Sequence, residues 1–151
     1  MTKLVCTLIA VLLLSASGLH ASEAMKTIVP SYMEIHSRLF RDSTDGIKQA
    51  AAAIEEQASR MGASGAAMAK AAKAMQAAGD LTSARAAFGP LSDAVIAAGN
   101  ADGWKDVPDV KEAYCPMIKK AWLQKDGSIR NPYYGPAMPT CGEFKKTDTG
   151  R

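Results

Sequence analysis

Two cysteines and two methionines are the residues of this 151-residue chain best suited to chemistry. Cys115-Pro116-Met117 and Met138-Pro139-Thr140-Cys141 each place a thioether within three positions of a thiol, and 26 positions separate the cysteines. Brought face to face, the two segments offer two thiolates and two thioethers. Soft sulfur donors of this kind select Cu(I) or Ag(I), and suit zinc less well once thioethers are included. Prolines stand beside three of the four sulfurs and restrict the backbone there, which lowers the entropic cost of assembling a site. The same cysteines also suit a disulfide. Exported proteins fold in an oxidising compartment, and closing such a loop contributes about 3.5 kcal/mol in the chain-entropy model. The methionines are then ordinary packing residues. Only free thiolates hold a metal, so the two states exclude one another, and both readings stand.

Export is expected from the first two dozen residues. Lys3, an apolar run from Leu4 to Leu14 broken only by Thr7, and the small residues Ser15 to Gly18 and Ala21 follow the pattern of a secretory signal peptide. Cleavage is expected after Ala21, or after Ala24. The apolar run is too short to span a bilayer as a helix. Cys6 lies inside it, so no cysteine stands at the exit to take a lipid anchor. The expected product is periplasmic, with no membrane insertion after cleavage and one domain over residues 28–144. Residues 145–151 are expected to form a loose tail.

Charge and histidine content narrow the function further. After cleavage at Ala21, seventeen basic residues face fifteen acidic ones. That balance is too weak for a nucleic-acid footprint or a polybasic membrane patch. His20 departs with the leader, leaving His36 as the single imidazole, so a site built from several histidines is excluded. His36 could add a nitrogen to the sulfur site, although a lone histidine on a helix is more often structural. Paired with Cys115 as a base, it lacks an acidic orienter. No glycine-rich phosphate loop occurs. No enzyme is expected.

The elements that must position the sulfurs divide by composition near Asn100. Alanine supplies 14 of the 30 residues from Ala50 to Gly79, whereas five of seven prolines and six of nine aromatics follow Asn100. Alanine favours helix and proline ends it. Helices are predicted over about 30–41, 44–61, 64–78 and 80–99, starting at Pro30, at a Ser43 or Thr44 cap, and at Asp80. Tyr32, Ile35 and Leu39 form the first apolar seam; Ile47, Ala51, Ile54, Ala58 and Met61 form the second. Met61, Met68 and Met75 continue the spacing of Ile47 and Ile54, so they read as core rather than as a metal ladder. Leu81, Ala84, Phe88, Leu91 and Val95 form the last seam, with Pro90 expected to kink it. Short connections favour an all-α, antiparallel up-and-down four-helix bundle. Residues 101–144 form a Pro- and aromatic-rich segment with a short β-hairpin, 121–124 against 128–130, turning at Asp126-Gly127. Arg85 and Arg130 read as solvated ion-pair residues of little weight.

The stretch Tyr114-Cys115-Pro116-Met117, Trp122-Leu123-Gln124-Lys125-Asp126-Gly127, Ile129-Arg130-Asn131-Pro132-Tyr133-Tyr134-Gly135, Met138 and Cys141-Gly142 resembles the signature of an exported helical domain family. That domain also forms the C-terminal module of some Cus-type copper and silver efflux adaptor subunits. Arg85 to Ser92 is similar to its helical segment, and the resemblance covers about Val29 to Phe144. It implies that the Cys-Pro-Met and Met-x-x-Cys pieces come together, supported by Tyr114, Pro116, Trp122, Asn131, Pro132, Tyr133, Tyr134 and Gly135. It further implies heavy-metal handling, with efflux-system components as partners. The resemblance is to that module alone, so the long hairpin and barrel domains of an adaptor are not expected here. The two tyrosines read best as a corner that covers the site from water.

Overall fold

The computed structural model describes residues 23–102, 104, 107 and 109–146. The expected signal peptide and the last five residues of the expected tail lie outside the described residues. The fold is mostly helical, with four α-helices and one small three-stranded antiparallel sheet. The helices are α1 (23–40), α2 (Ile47–Arg60), α3 (Ala66–Gln76) and α4 (Leu81–Asp102). The strands are β1 (Val110–Cys115), β2 (Lys120–Lys125) and β3 (Glu143–Phe144), in the order β2-β1-β3. Among the described residues, no helix is long and apolar enough to cross a membrane.

Each helix buries most of the seam its sequence marks out; Leu81, and Met61 just beyond the end of α2, are only half-buried. Tyr32, Ile35 and Leu39 of α1 are fully buried, as are Phe88, Leu91 and Val95 of α4. Met68 and Met75 sit in the core with Ile47 and Ile54. Helix α2 packs on α3, and α3 on α4. Tyr32 stacks on Phe88 with ring centroids 5.1 Å apart, which joins α1 to α4. Its hydroxyl is bonded to Ser92 Oγ and accepts from Leu123 N at 3.0 Å, which ties both helices to β2.

Several expected boundaries move, each for a local reason. Helix α1 starts before Pro30, because Ala24, Met25, Ile28 and Val29 extend its buried seam upstream. Helix α2 starts at Ile47 behind a left-handed Gly46. Ser43 instead accepts from Asp45 N at 3.1 Å in a tight turn. Asp80 does cap α4: Ser83 N donates to Asp80 Oδ1 at 2.7 Å, and Asp80 N donates back to Ser83 Oγ at 3.2 Å. Helix α4 continues past Gly99 to Asp102. Trp104 folds back over Gly99, donating N–H to the Gly99 carbonyl (3.1 Å) and Nε1–H to Asn100 Oδ1 (2.8 Å).

The hairpin is a correction. Strand β2 pairs upstream with β1, from Val110↔Lys125 to Cys115↔Lys120, so the turn is Pro116–Lys119. Residues 128–130 form no strand. The Gln124 side chain takes the place of a ladder there, donating to the Ser128 carbonyl (3.0 Å) and accepting from Arg130 N (2.9 Å). Asp126-Gly127 still turns, with Gly127 N donating to Asp126 Oδ1 at 2.8 Å. Strand β3 is too short to show a period. Lys145, at the start of the expected loose tail, is held by its N–H on the Glu112 carbonyl (2.9 Å).

Candidate functional site

Sheet register brings the cysteines together. Cys115 is the last residue of β1, and β3 pairs with β1 as Tyr114↔Glu143. One step further, the antiparallel register sets Cys115 beside Gly142 and next to Cys141. The thiols are free and their sulfurs lie 2.8 Å apart. Met117, in the β1–β2 turn, places its Sδ 3.5 Å from Cys141 Sγ. Cys115 is buried, Cys141 is partly exposed, and Met117 is 67 % exposed. Met138 is half-buried in the same loop and accepts from Cys141 N through its carbonyl, at 3.3 Å. Its thioether is not among the sulfur contacts of the described residues.

The loop that carries Cys141 is built on Asn131. This side chain is fully buried and donates Nδ2–H to the Cys141 carbonyl at 2.7 Å. Its Oδ1 accepts from Tyr133 N (2.9 Å) and Tyr134 N (3.3 Å), while Asn131 N donates to the Pro139 carbonyl (2.9 Å). One residue therefore fixes both the Asn-Pro-Tyr-Tyr turn and the returning chain. Gly142 lets that chain pass close to Trp122. A Cβ there stands 2.7 Å from the indole, and φ is +138°, where only glycine is comfortable.

The other motif residues form a frame around these two. Trp122 is fully buried and donates Nε1–H to Gln124 Oε1 at 3.0 Å. Tyr133 packs on Phe88 (5.5 Å) and Trp122 (6.1 Å) and donates its hydroxyl to the Ala121 carbonyl at 3.0 Å. Pro132 and Gly135 are buried; Tyr114 and Tyr134 are half-buried; Pro116 is exposed.

Arg85 is also a correction. Its side chain is only 19 % exposed. It donates Nε–H to the Pro132 carbonyl and Nη2–H to the Leu39 carbonyl, both at 2.9 Å, and pairs with Asp42. It clamps the Asn-Pro-Tyr-Tyr turn to the helices, a role that a lone arginine on a helical seam does not announce. Arg130 makes no ion pair among the described residues; its guanidinium lies over the Phe40 ring, 5.4 Å from the centroid.

Local electrostatics make the thiols unequal. Burial pushes Cys115 up, but hydrogen bonds from the Cys141 thiol, the Ile118 and Met117 amides and Asn131 outweigh it, and its pKa is lowered. Cys141 is raised, first by its hydrogen bond to Cys115, then by desolvation and the neighbouring charge. Of the two, Cys115 is therefore the thiol that gives up its proton first, with Cys141 as its hydrogen-bond donor. His36 is engaged elsewhere. It is buried, donates Nε2–H to the Arg130 carbonyl at 2.9 Å, and has its pKa lowered to about 4, chiefly by desolvation. Among the described residues no three His, Cys, Asp or Glu side chains group to hold a metal. The convergent soft donors are two thiols and one thioether.

No family model, curated protein or solved structure matches this chain.

Proposed function

We propose that the reduced protein is an exported binding protein for a soft monovalent ion, Cu(I) or Ag(I). Cys115 and Cys141 are the principal ligands and Met117 the supporting one. Such a protein fits a role in heavy-metal efflux or tolerance, with efflux components as partners. The observation that carries this reading is Met117. An apolar side chain left 67 % exposed contributes little to packing, yet its sulfur rests 3.5 Å from a thiol. Two thiolates satisfy a soft monovalent ion, and a thioether adds a weaker third donor. Sulfurs sharing an ion at bond lengths of about 2.3 Å stand roughly 3.7 Å apart at a tetrahedral angle. Loading therefore requires the pair to open by about 1 Å, a movement within reach of the partly exposed Cys141 side chain while Asn131 holds its backbone. Competition against a Cu(I) chelator under reducing conditions tests the proposal. One equivalent of uptake is expected, lost in Cys115→Ser and Cys141→Ser and weakened in Met117→Leu. No uptake by the reduced protein overturns it.

A second reading is a structural disulfide between the same cysteines, favoured by the 2.8 Å separation of their sulfurs. It predicts purified protein without free thiols, and reduction that lowers stability without conferring binding. For the helices, short connections and the α1–α4, α3–α4 and α2–α3 packing support an antiparallel up-and-down bundle.

A further inference from the structure

Met117 stands apart from the other methionines of the described residues. Met25, Met68 and Met75 are buried, and Met33, Met61 and Met138 are half-buried. Met117, at 67 %, is the one exposed large apolar side chain among the described residues. Oxidation of a thioether to its sulfoxide begins at a sulfur lone pair, so it follows access to the sulfur. Met117 lies in the Pro116–Lys119 turn that joins β1 to β2, on the solvent side of the two thiols. Its Sδ is 3.5 Å from the Sγ of the partly exposed Cys141, which in turn is 2.8 Å from the Sγ of the buried Cys115. A two-electron oxidant arriving from solvent therefore meets the Met117 thioether before the Cys115 thiol.

We propose that Met117 is an oxidation site through which a hypohalous acid lowers the affinity of the sulfur cluster for its soft ion, an inference that rests on the soft-ion reading above. In the net step the Met117 sulfur gives an electron pair to a new S–O bond, the O–Cl bond of hypochlorous acid breaks, and chloride and a proton leave. The product has spent a sulfur lone pair and presents a hard oxygen where a soft donor stood. Sulfoxide reductases return the thioether, so the change is reversible. In the test, full-length protein with Cys115 and Cys141 held as the disulfide, which keeps the thiols from consuming the oxidant, receives a single equivalent of hypochlorous acid. Peptide mass spectrometry then locates the added oxygen, expected on Met117 ahead of Met33, Met61 and Met138. Protein carrying Cys115→Ser and Cys141→Ser supplies the same map if the disulfide forms incompletely. A dithiol next reopens the disulfide and is removed, and Ag(I) affinity is read by competition in chloride-free buffer. The expected loss is about tenfold or more, reversed by methionine sulfoxide reductases. Met117→Leu protein, already weakened, is expected to lose nothing further on the same treatment. Oxygen spread evenly over the half-buried methionines, or a Met117 sulfoxide that binds Ag(I) as tightly as the thioether, overturns the proposal. Untreated reduced protein that takes up no Ag(I) overturns the soft-ion reading and the affinity change with it, so this control tells the two failures apart.

Discussion

Arg85→Met removes the clamp between the Asn-Pro-Tyr-Tyr turn and the helices while keeping most of the aliphatic stem. Two carbonyls, Pro132 and Leu39, lose a charged donor at 2.9 Å. Each such loss in a largely buried setting costs about 1–2 kcal/mol. The Asp42 pair adds less than about 1 kcal/mol, because that carboxylate is 48 % exposed and screened by solvent. The expected total is about 3 kcal/mol, read as a shift of the urea midpoint at constant slope in reduced protein. Arg60→Ala is the internal control. Its partner Glu56 and Arg60 itself are both more than half exposed, so the cost is below about 0.5 kcal/mol. Gly135→Ala closes a double-mutant cycle, since a Cβ at Gly135 collides with both Arg85 Nη2 and Asp42 Oδ1, and φ there is +55°. Its penalty is therefore smaller in the Arg85→Met background than in the wild type. A loss under about 1 kcal/mol for Arg85→Met, or strict additivity with Gly135→Ala, refutes the clamp.

Three further outcomes are expected. Phe88→Ala, which removes a fully buried ring between Tyr32 and Tyr133, costs about 3–5 kcal/mol in denaturant titration; a value near zero refutes its place at the centre of the core. Asn131→Ala unpairs the Cys141 carbonyl and two amides and costs about 2–4 kcal/mol, while in a Cys141→Ser background the ultraviolet thiolate absorbance of Cys115 rises at higher pH because Cys115 loses a donor. His36 stays neutral in the fold down to about pH 4, whereas the unfolded chain takes up the proton near 6.5. Its contribution is thus full above pH 6.5 and falls by up to about 3 kcal/mol as pH drops to 4. Urea midpoints at pH 7.5 and 4.5 check this, and a pH profile unchanged by His36→Gln refutes it.

The helical half was legible because its signal is local. Every residue of the Tyr32, Ile47 and Phe88 seams lies within two turns of the next, and the Asp80 cap is written in one four-residue stretch. The sheet was not, because its pairing is decided by side chains remote in sequence. Asp126-Gly127 turns as its composition suggests, yet the chain beyond it pairs with the Gln124 carboxamide instead of a strand. A polar side chain satisfying backbone groups in this way leaves no periodic trace. The Arg85 clamp is hidden for the same reason: its partners are carbonyls 46 and 47 positions away.

The sulfur residues were legible as types and spacing, but their division of labour needed the fold. Cys115, fixed at the end of a strand and surrounded by donors, is the more acidic thiol and is buried. Cys141, on the loop, is the accessible thiol, and its hydrogen bond to Cys115 makes it the less acidic one. Attack on an external disulfide needs one sulfur that is both ionised and exposed. Here the more acidic sulfur and the more exposed one belong to different residues. Under the metal-binding reading the same division has a use. An ion arriving from solvent meets the Met117 thioether and Cys141 first, and the Cys115 thiolate beneath them supplies the charge that holds it. Proton loss from Cys141 then completes the site, so affinity is expected to rise with pH through the thiol range.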